Sequence, residues 1–76
     1  MEKVGKKIRT IRELRDYSRH YMASQLKLSL NSYGKIERDE VNITISRLSE
    51  VAAILQVNII DILNFNSNTL FKYPES

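Results

Sequence analysis

The 76 residues contain no cysteine and one histidine, and no long apolar run. Without cysteine the chain makes no disulfide and offers no thiolate to a metal. Its small core must therefore hold by packing alone, which suits a reducing cytoplasm. His20 stands alone, and the acids are scattered without the paired spacing that general acid–base chemistry or metal ligation needs. Neither an enzyme nor a cofactor is expected. No segment approaches the about 18 apolar residues of a membrane span. The opening Met-Glu-Lys-Val-Gly-Lys-Lys enters charged, periodic sequence without the apolar stretch of a signal peptide. A soluble cytoplasmic location with no membrane partner follows as the expectation. The length allows one domain and little room for a catalytic cleft.

Charge is present, and it is lopsided. Residues 1–38 carry ten bases (Lys3, Lys6, Lys7, Arg9, Arg12, Arg15, Arg19, Lys27, Lys35, Arg38) against Glu2, Glu13, Asp16 and Glu37. The remainder sets Arg47 and Lys72 against Asp39, Glu40, Glu50, Asp61 and Glu75. A basic half on one small domain points to a polyanion on that side. Solvated helix faces are the plainer source of the same pattern.

Apolar periodicity divides the chain into short helices. Val4, Ile8 and Ile11 recur at helical spacing between charges, and no segment alternates for long as a strand would. A start signal then appears four times, with an apolar residue before a Ser, Thr or Asn and another four positions after it. The sets are Tyr17-Ser18 with Met22, Leu28-Ser29 with Tyr33, Ile43-Thr44 with Leu48, and Val57-Asn58 with Ile62. This is the hydrophobic staple around an N-cap. Asp61 adds a negative charge to the positive end of the last helix. Five helices are predicted near 4–16, 18–26, 29–37, 44–55 and 58–64. Their inward stripes predict a core of Val4, Ile8, Ile11, Met22, Ala23, Leu26, Tyr33, Ile36, Ile45, Leu48, Val51, Ala52, Leu55, Ile59, Ile62 and Leu63.

The caps Ser18 and Ser29 leave room for two helical turns, a bend through Lys27 and Leu28, and a second helix, which is a helix-turn-helix layout. From Val4 to about Phe65 the chain resembles the Cro and phage-repressor type of helix-turn-helix, the XRE family. The residues that carry the likeness are "VGKKIRTIRELR", "YSRHYMASQLKLSLNSYGKIERDE" and "NITISRLSEVAAILQVNIIDIL". The resemblance implies an all-α, five-helix, lambda-repressor-like domain in which residues 29–38 form the recognition helix. It also implies that Leu30, Asn31, Ser32 and Lys35 face a DNA major groove, that Asn42 touches the backbone, and that Arg12 and Glu37 form a structural pair. In the family a Gln commonly stands at Arg19 and at Leu30, and Gly is frequent at Lys27 and Asp39.

The residue chemistry runs parallel to that likeness. Asn pairs bidentately with adenine, and Lys donates to guanine, so Asn31 and Lys35 suit base edges. Leu30 would meet a thymine methyl or simply pack at the helix start. At about 100° per residue Asn31, Gly34, Lys35 and Arg38 share one outward stripe. A mid-helix glycine costs roughly 0.5–1 kcal/mol relative to alanine. Two readings of Gly34 stand at this point: close approach of backbone to a groove wall, or a tolerated defect. Ser18 and Arg19 open the second helix, whose amides and dipole suit a phosphate. Lys27, Arg38 and Asn42 would flank the same backbone.

The last stretch, "NFNSNTLFKYPES", leaves the helical pattern. The organisation expected is a DNA-binding domain over residues 1–66 and a tail over 67–76, either dimerising or disordered. Ile59, Ile60, Asn64, Phe65, Leu70, Phe71 and Tyr73 are the candidate dimer surface. One recognition helix reads few base pairs, so the expected function is transcriptional repression by a homodimer on an inverted repeat of double-stranded DNA. The alternative is an antitoxin-like or other module that binds a protein partner through its C-terminal surface.

Overall fold

Polar residues at the predicted positions start four of the helices. Ser18 Oγ accepts the Tyr21 N–H at 3.0 Å, Ser29 Oγ the Ser32 N–H at 3.0 Å, and Thr44 Oγ1 the Arg47 N–H at 3.0 Å. At Asn58 the Asp61 carboxylate accepts the backbone N–H at 3.0 Å. Each cap satisfies a donor that the helix itself leaves open. The flanking apolar residues behave as a staple requires: Tyr17, Leu28, Ile43 and Val57 pack against the core, while Met22, Tyr33, Leu48 and Ile62 are buried in it. A computed structural model describes residues 3–65. They form α1 (Val4–Leu14), α2 (Arg19–Leu26), α3 (Leu30–Glu37), α4 (Ile45–Leu55) and α5 (Ile59–Asn64). The fold is all-α, with no strand among the described residues.

Helix ends follow a second rule. Asp16, Lys27, Asp39 and Gln56 adopt left-handed backbone, with φ of 64°, 59°, 58° and 62°. In each case that residue and the next return their N–H groups to carbonyls of the last turn, for example Asp39 to Ile36 and Glu40 to Lys35 at 3.2 and 2.9 Å. The reversal at Asp16 ends α1 at Leu14, two residues before the predicted limit. The turns at Lys27 and Asp39 match their family positions; those at Asp16 and Gln56 carried no sequence signal.

Three basic side chains close helix ends from a distance. Lys7 Nζ donates to the Leu63 carbonyl at 2.6 Å, Arg15 Nε to Leu55 at 2.8 Å, and Arg47 Nη1 to Leu26 at 3.4 Å. Cations at the negative ends of α5, α4 and α2 complement the helix dipoles. Lys7 and Arg15 are therefore scaffold residues, and part of the N-terminal positive charge belongs to the fold rather than to a polyanion.

The interior is built on Ile8, Met22, Tyr33, Val51, Leu55 and Ile62, all fully buried. Two predicted core residues lie outside it. Ile45 is 71% exposed because it stands on the first turn of α4, where side chains lean past the helix start. Leu63 is 44% exposed because the short α5 turns its inward face through Ile59 and Ile62. Gly5 lets α1 meet the end of α3. Its N–H donates to Asp39 Oδ1 at 2.9 Å, and a Cβ there would lie 2.7 Å from the Glu37 carbonyl oxygen.

Candidate nucleic-acid interface

The capped starts of α2 and α3 supply the site. Ser18 and Ser29 each spend an oxygen on the third helical N–H, which leaves the N–H groups of Arg19 and His20, and of Leu30 and Asn31, without intrahelical partners. Such amides, with the positive end of the dipole, attract anions. Arg19 is exposed beside the α2 start.

On α3, Asn31, Ser32 and Lys35 are exposed, and Leu30 is 39% exposed. Their opposite neighbours Tyr33 and Ile36 are buried, which locks the rotation of the helix about its axis. Ser32 Oγ accepts from the Ser29 hydroxyl at 2.9 Å, so its orientation is set before any ligand arrives. Ser32 and Lys35 line a cleft with Val41, Asn42, Thr44 and Arg47. Val41 on its rim is 45% exposed, and nothing in the sequence pattern marked it. Arg19, Gly34 and Arg38 meet in a second cleft with Arg9, Arg12, Glu13 and Glu37. Lys27 is exposed at its left-handed turn and lines neither cleft.

Gly34 corrects the sequence reading. The outward stripe left it either open to a groove wall or a tolerated defect, and it is buried. Arg38 folds back over it, so a Cβ on Gly34 would stand 2.7 Å from Arg38 Nη1. The same guanidinium holds Glu40 side-on, Nε to Oε2 at 2.8 Å and Nη2 to Oε1 at 3.4 Å. This pairing raises the pKa of Arg38 and lowers that of Glu40.

Beneath the surface Arg12 and Glu37 hold α1 to α3, with Nε to Oε2 at 2.6 Å and both side chains almost wholly buried. Burial opposes the charge on Arg12, but the hydrogen bond and negative field of Glu37 outweigh it and raise its pKa. Arg12 Nη1 also donates to the Tyr17 carbonyl at 2.8 Å, and the Tyr33 hydroxyl donates to Glu37. Burial and that bond push the Tyr33 phenol well above its ordinary range. The recognition helix is thus positioned by a buried polar network, of which the family resemblance implied only the Arg12–Glu37 pair.

Of the candidate dimer residues, Ile60 is 62% exposed and Asn64 is exposed, whereas Ile59 and Phe65 are half-buried against the core. Leu70, Phe71 and Tyr73 lie outside the described residues. Leu14, 61% exposed, joins Phe65 along a groove between α1 and α5, an apolar element that the sequence reading did not include. No described helix is long and apolar enough to cross a membrane.

Comparison with known proteins agrees with this architecture. A helix-turn-helix family model matches residues 8–62. The structure of SinR, the master regulator for biofilm formation, in complex with DNA is similar, with 27% identity, a TM-score of 0.73, and coverage of 82% of this chain and 100% of that one. The complex of SinR with SinI matches at 26% identity and a TM-score of 0.74, covering 88% of this chain and 66% of that one. No curated protein matches the chain. The match over most of the helical region shows that the chain belongs to the helix-turn-helix family, as an XRE-type DNA-binding transcription regulator.

Proposed function

We propose that the protein is a sequence-specific repressor that binds duplex DNA as a homodimer on an inverted repeat. The observation that carries this is the joint exposure of Asn31, Ser32 and Lys35 on a recognition helix whose rotation is fixed by buried Tyr33, Ile36 and Glu37. Asn31 and Lys35 read base edges, Ser32 and Leu30 complete the surface, and Gly34 contributes only through the arginine that covers it. Ser18, Arg19, Lys27, Arg38 and Asn42 hold phosphates and set the register. Repression follows from occupancy, with no chemistry. The similarity to SinR bound to DNA supports the reading. Residues 1–66 are the DNA-binding unit, self-association uses Ile59, Ile60, Asn64 and Phe65, and Leu70, Phe71 and Tyr73 of the 67–76 tail are the further candidates for it.

A second reading rests on a separate observation. The similarity to the SinR–SinI complex and the exposed Ile60, Leu63 and Leu14 favour a protein partner on the α1–α5 side. DNA contact and partner binding involve different residues, but this surface shares Ile60 with the proposed dimer interface, so a partner seated there competes with self-association.

Selection of binding sites from random duplex DNA tests the proposal. An enriched motif with two-fold symmetry and half-sites about one helical turn apart is expected. Enrichment of no motif, with affinity independent of sequence, overturns it.

A further inference from the structure

The end of α3 departs from the other left-handed helix ends in one respect. After Asp16, Lys27 and Gln56 the next residue is apolar, and Tyr17, Leu28 and Val57 all pack against the core. That is the usual hydrophobic closure of such a motif. After Asp39 the chain places Glu40, half-exposed and charged, which contributes no such closure. Glu40 instead turns back onto Arg38. Residues two apart do not face each other on a helix; the left-handed turn at Asp39 is what brings them together. Gly34 completes the arrangement, since only a residue without Cβ leaves room for Arg38 Nη1. Two nitrogens of the guanidinium, Nε and Nη2, are then held by Glu40, while Nη1 lies over the bare surface of Gly34. Side-on pairing occupies the Nε–Nη2 edge, one of the two forks with which an arginine grips a phosphate.

We propose that Glu40 is an intramolecular stand-in for a DNA phosphate, holding Arg38 in a clasp that the duplex must open, so that Glu40 sets the strength of backbone binding on every sequence. The inference rests on the DNA-binding reading and adds to it a residue of the wrong sign for a DNA contact. Arg38 shares its cleft with Arg19 at the start of α2, so the released guanidinium would join a phosphate site that Arg19 and the helix amides already favour. An exposed pair of this kind is weak, so the clasp tunes affinity rather than abolishing it.

The test measures binding of a labelled, mixed-sequence duplex by the full chain over a series of salt concentrations. Glu40→Gln should bind about two- to fivefold more tightly, as loss of a weak exposed ion pair implies. Its salt dependence should steepen by roughly one released counterion. The gain should be the same for a selected site, and circular dichroism should be unchanged. In an Arg38→Gln background the Glu40→Gln gain should disappear. A gain that persists in that background means that Glu40 merely repels phosphate, which overturns the clasp. Parent-like affinity of Glu40→Gln overturns it as well. If the parent chain binds no duplex at any salt concentration, the DNA-binding reading fails and the clasp's role falls with it.

Discussion

Arg12 on α1 and Glu37 on α3 meet at 2.6 Å across 25 positions of sequence, with both side chains shielded from water. The pair costs desolvation and returns orientation: it fixes the helix that presents Asn31 and Lys35. Removing one partner leaves an uncompensated charge inside, which costs about 3–5 kcal/mol. Glu37→Leu should therefore destabilise the domain severely in urea unfolding, and Arg12→Met should do so as well. The double variant should be more stable than Glu37→Leu alone, because it buries no orphan charge. A double variant as unstable as the sum of the singles would show that the two groups act independently.

Tyr33 gives the same network a pH signature. Its phenol is pushed up by burial and by its bond to Glu37, so the folded state resists ionisation. The unfolded chain ionises near pH 10. Stability from this group is therefore complete below about pH 10 and declines above it, where only the unfolded chain gains the charge. Tyr33→Phe should remove this alkaline component. Unfolding midpoints of the parent and of Tyr33→Phe, measured from neutral to strongly alkaline pH, should converge in their pH dependence only if Tyr33 is not its source.

The two glycines should respond to alanine with opposite signs. At Gly5 the added carbon meets the Glu37 carbonyl oxygen at 2.7 Å and Asp39 Oδ2 at 2.7 Å. Backbone cannot step aside cheaply, and a loss of about 1–3 kcal/mol is expected. At Gly34 the obstruction is the far end of Arg38, which can rotate away. Gly34→Ala should then gain up to about 1 kcal/mol from helix propensity. Thermal melts of both variants check the signs, and destabilisation by Gly34→Ala would mean that the arginine seat matters to the fold.

These contrasts mark what the sequence could tell. The starts of α2 to α5 were legible because a cap and its staple lie within five residues of each other. The Arg12–Glu37 pair and the turns at Lys27 and Asp39 came from family resemblance. The roles of Lys7, Arg15 and Arg47 were not legible, since each donates to a carbonyl 56, 40 or 21 positions away. In composition they counted only as positive charge. Gly5 makes sense only beside the end of α3. Gly34 was assigned to the correct helix and the wrong environment, because periodicity fixes where a Cα points and says nothing of a long side chain folding back over it.

Lys35 and Arg19 should separate reading from anchoring. Lys35 is exposed on α3 beside Ser32 and Asn42, where it meets a base edge in the proposed complex. Lys35→Ala should relax preference at one position of the site and cost roughly 1–3 kcal/mol there. Arg19 stands at the start of α2, so Arg19→Ala should weaken all sequences alike and flatten the salt dependence by about one counterion. Binding profiles over a library of site variants distinguish the two. Uniform loss in both would show that the residues assigned to reading and anchoring are not distinct.

The dimer surface is tested by shortening the chain. Two-fold reading of successive major grooves needs recognition helices about 34 Å apart, and stable interfaces bury about 800 Å² per partner. Within the described residues the proposed surface offers Ile60 and Asn64 freely, while Ile59 and Phe65 are already committed in part to the core. That area is small, and Leu70, Phe71 and Tyr73 are the apolar residues that could enlarge it. Deleting residues 67–76 should leave the helical circular dichroism intact, because the five helices and the buried cluster from Ile8 to Ile62 are complete before the cut. Sedimentation should show weaker self-association, and the DNA titration should shift to higher protein concentration in parallel. Loss of helix would place the tail within the fold. A truncated chain that still dimerises and binds DNA as the parent does would reassign the interface to α5 and the exposed Leu14 and Leu63.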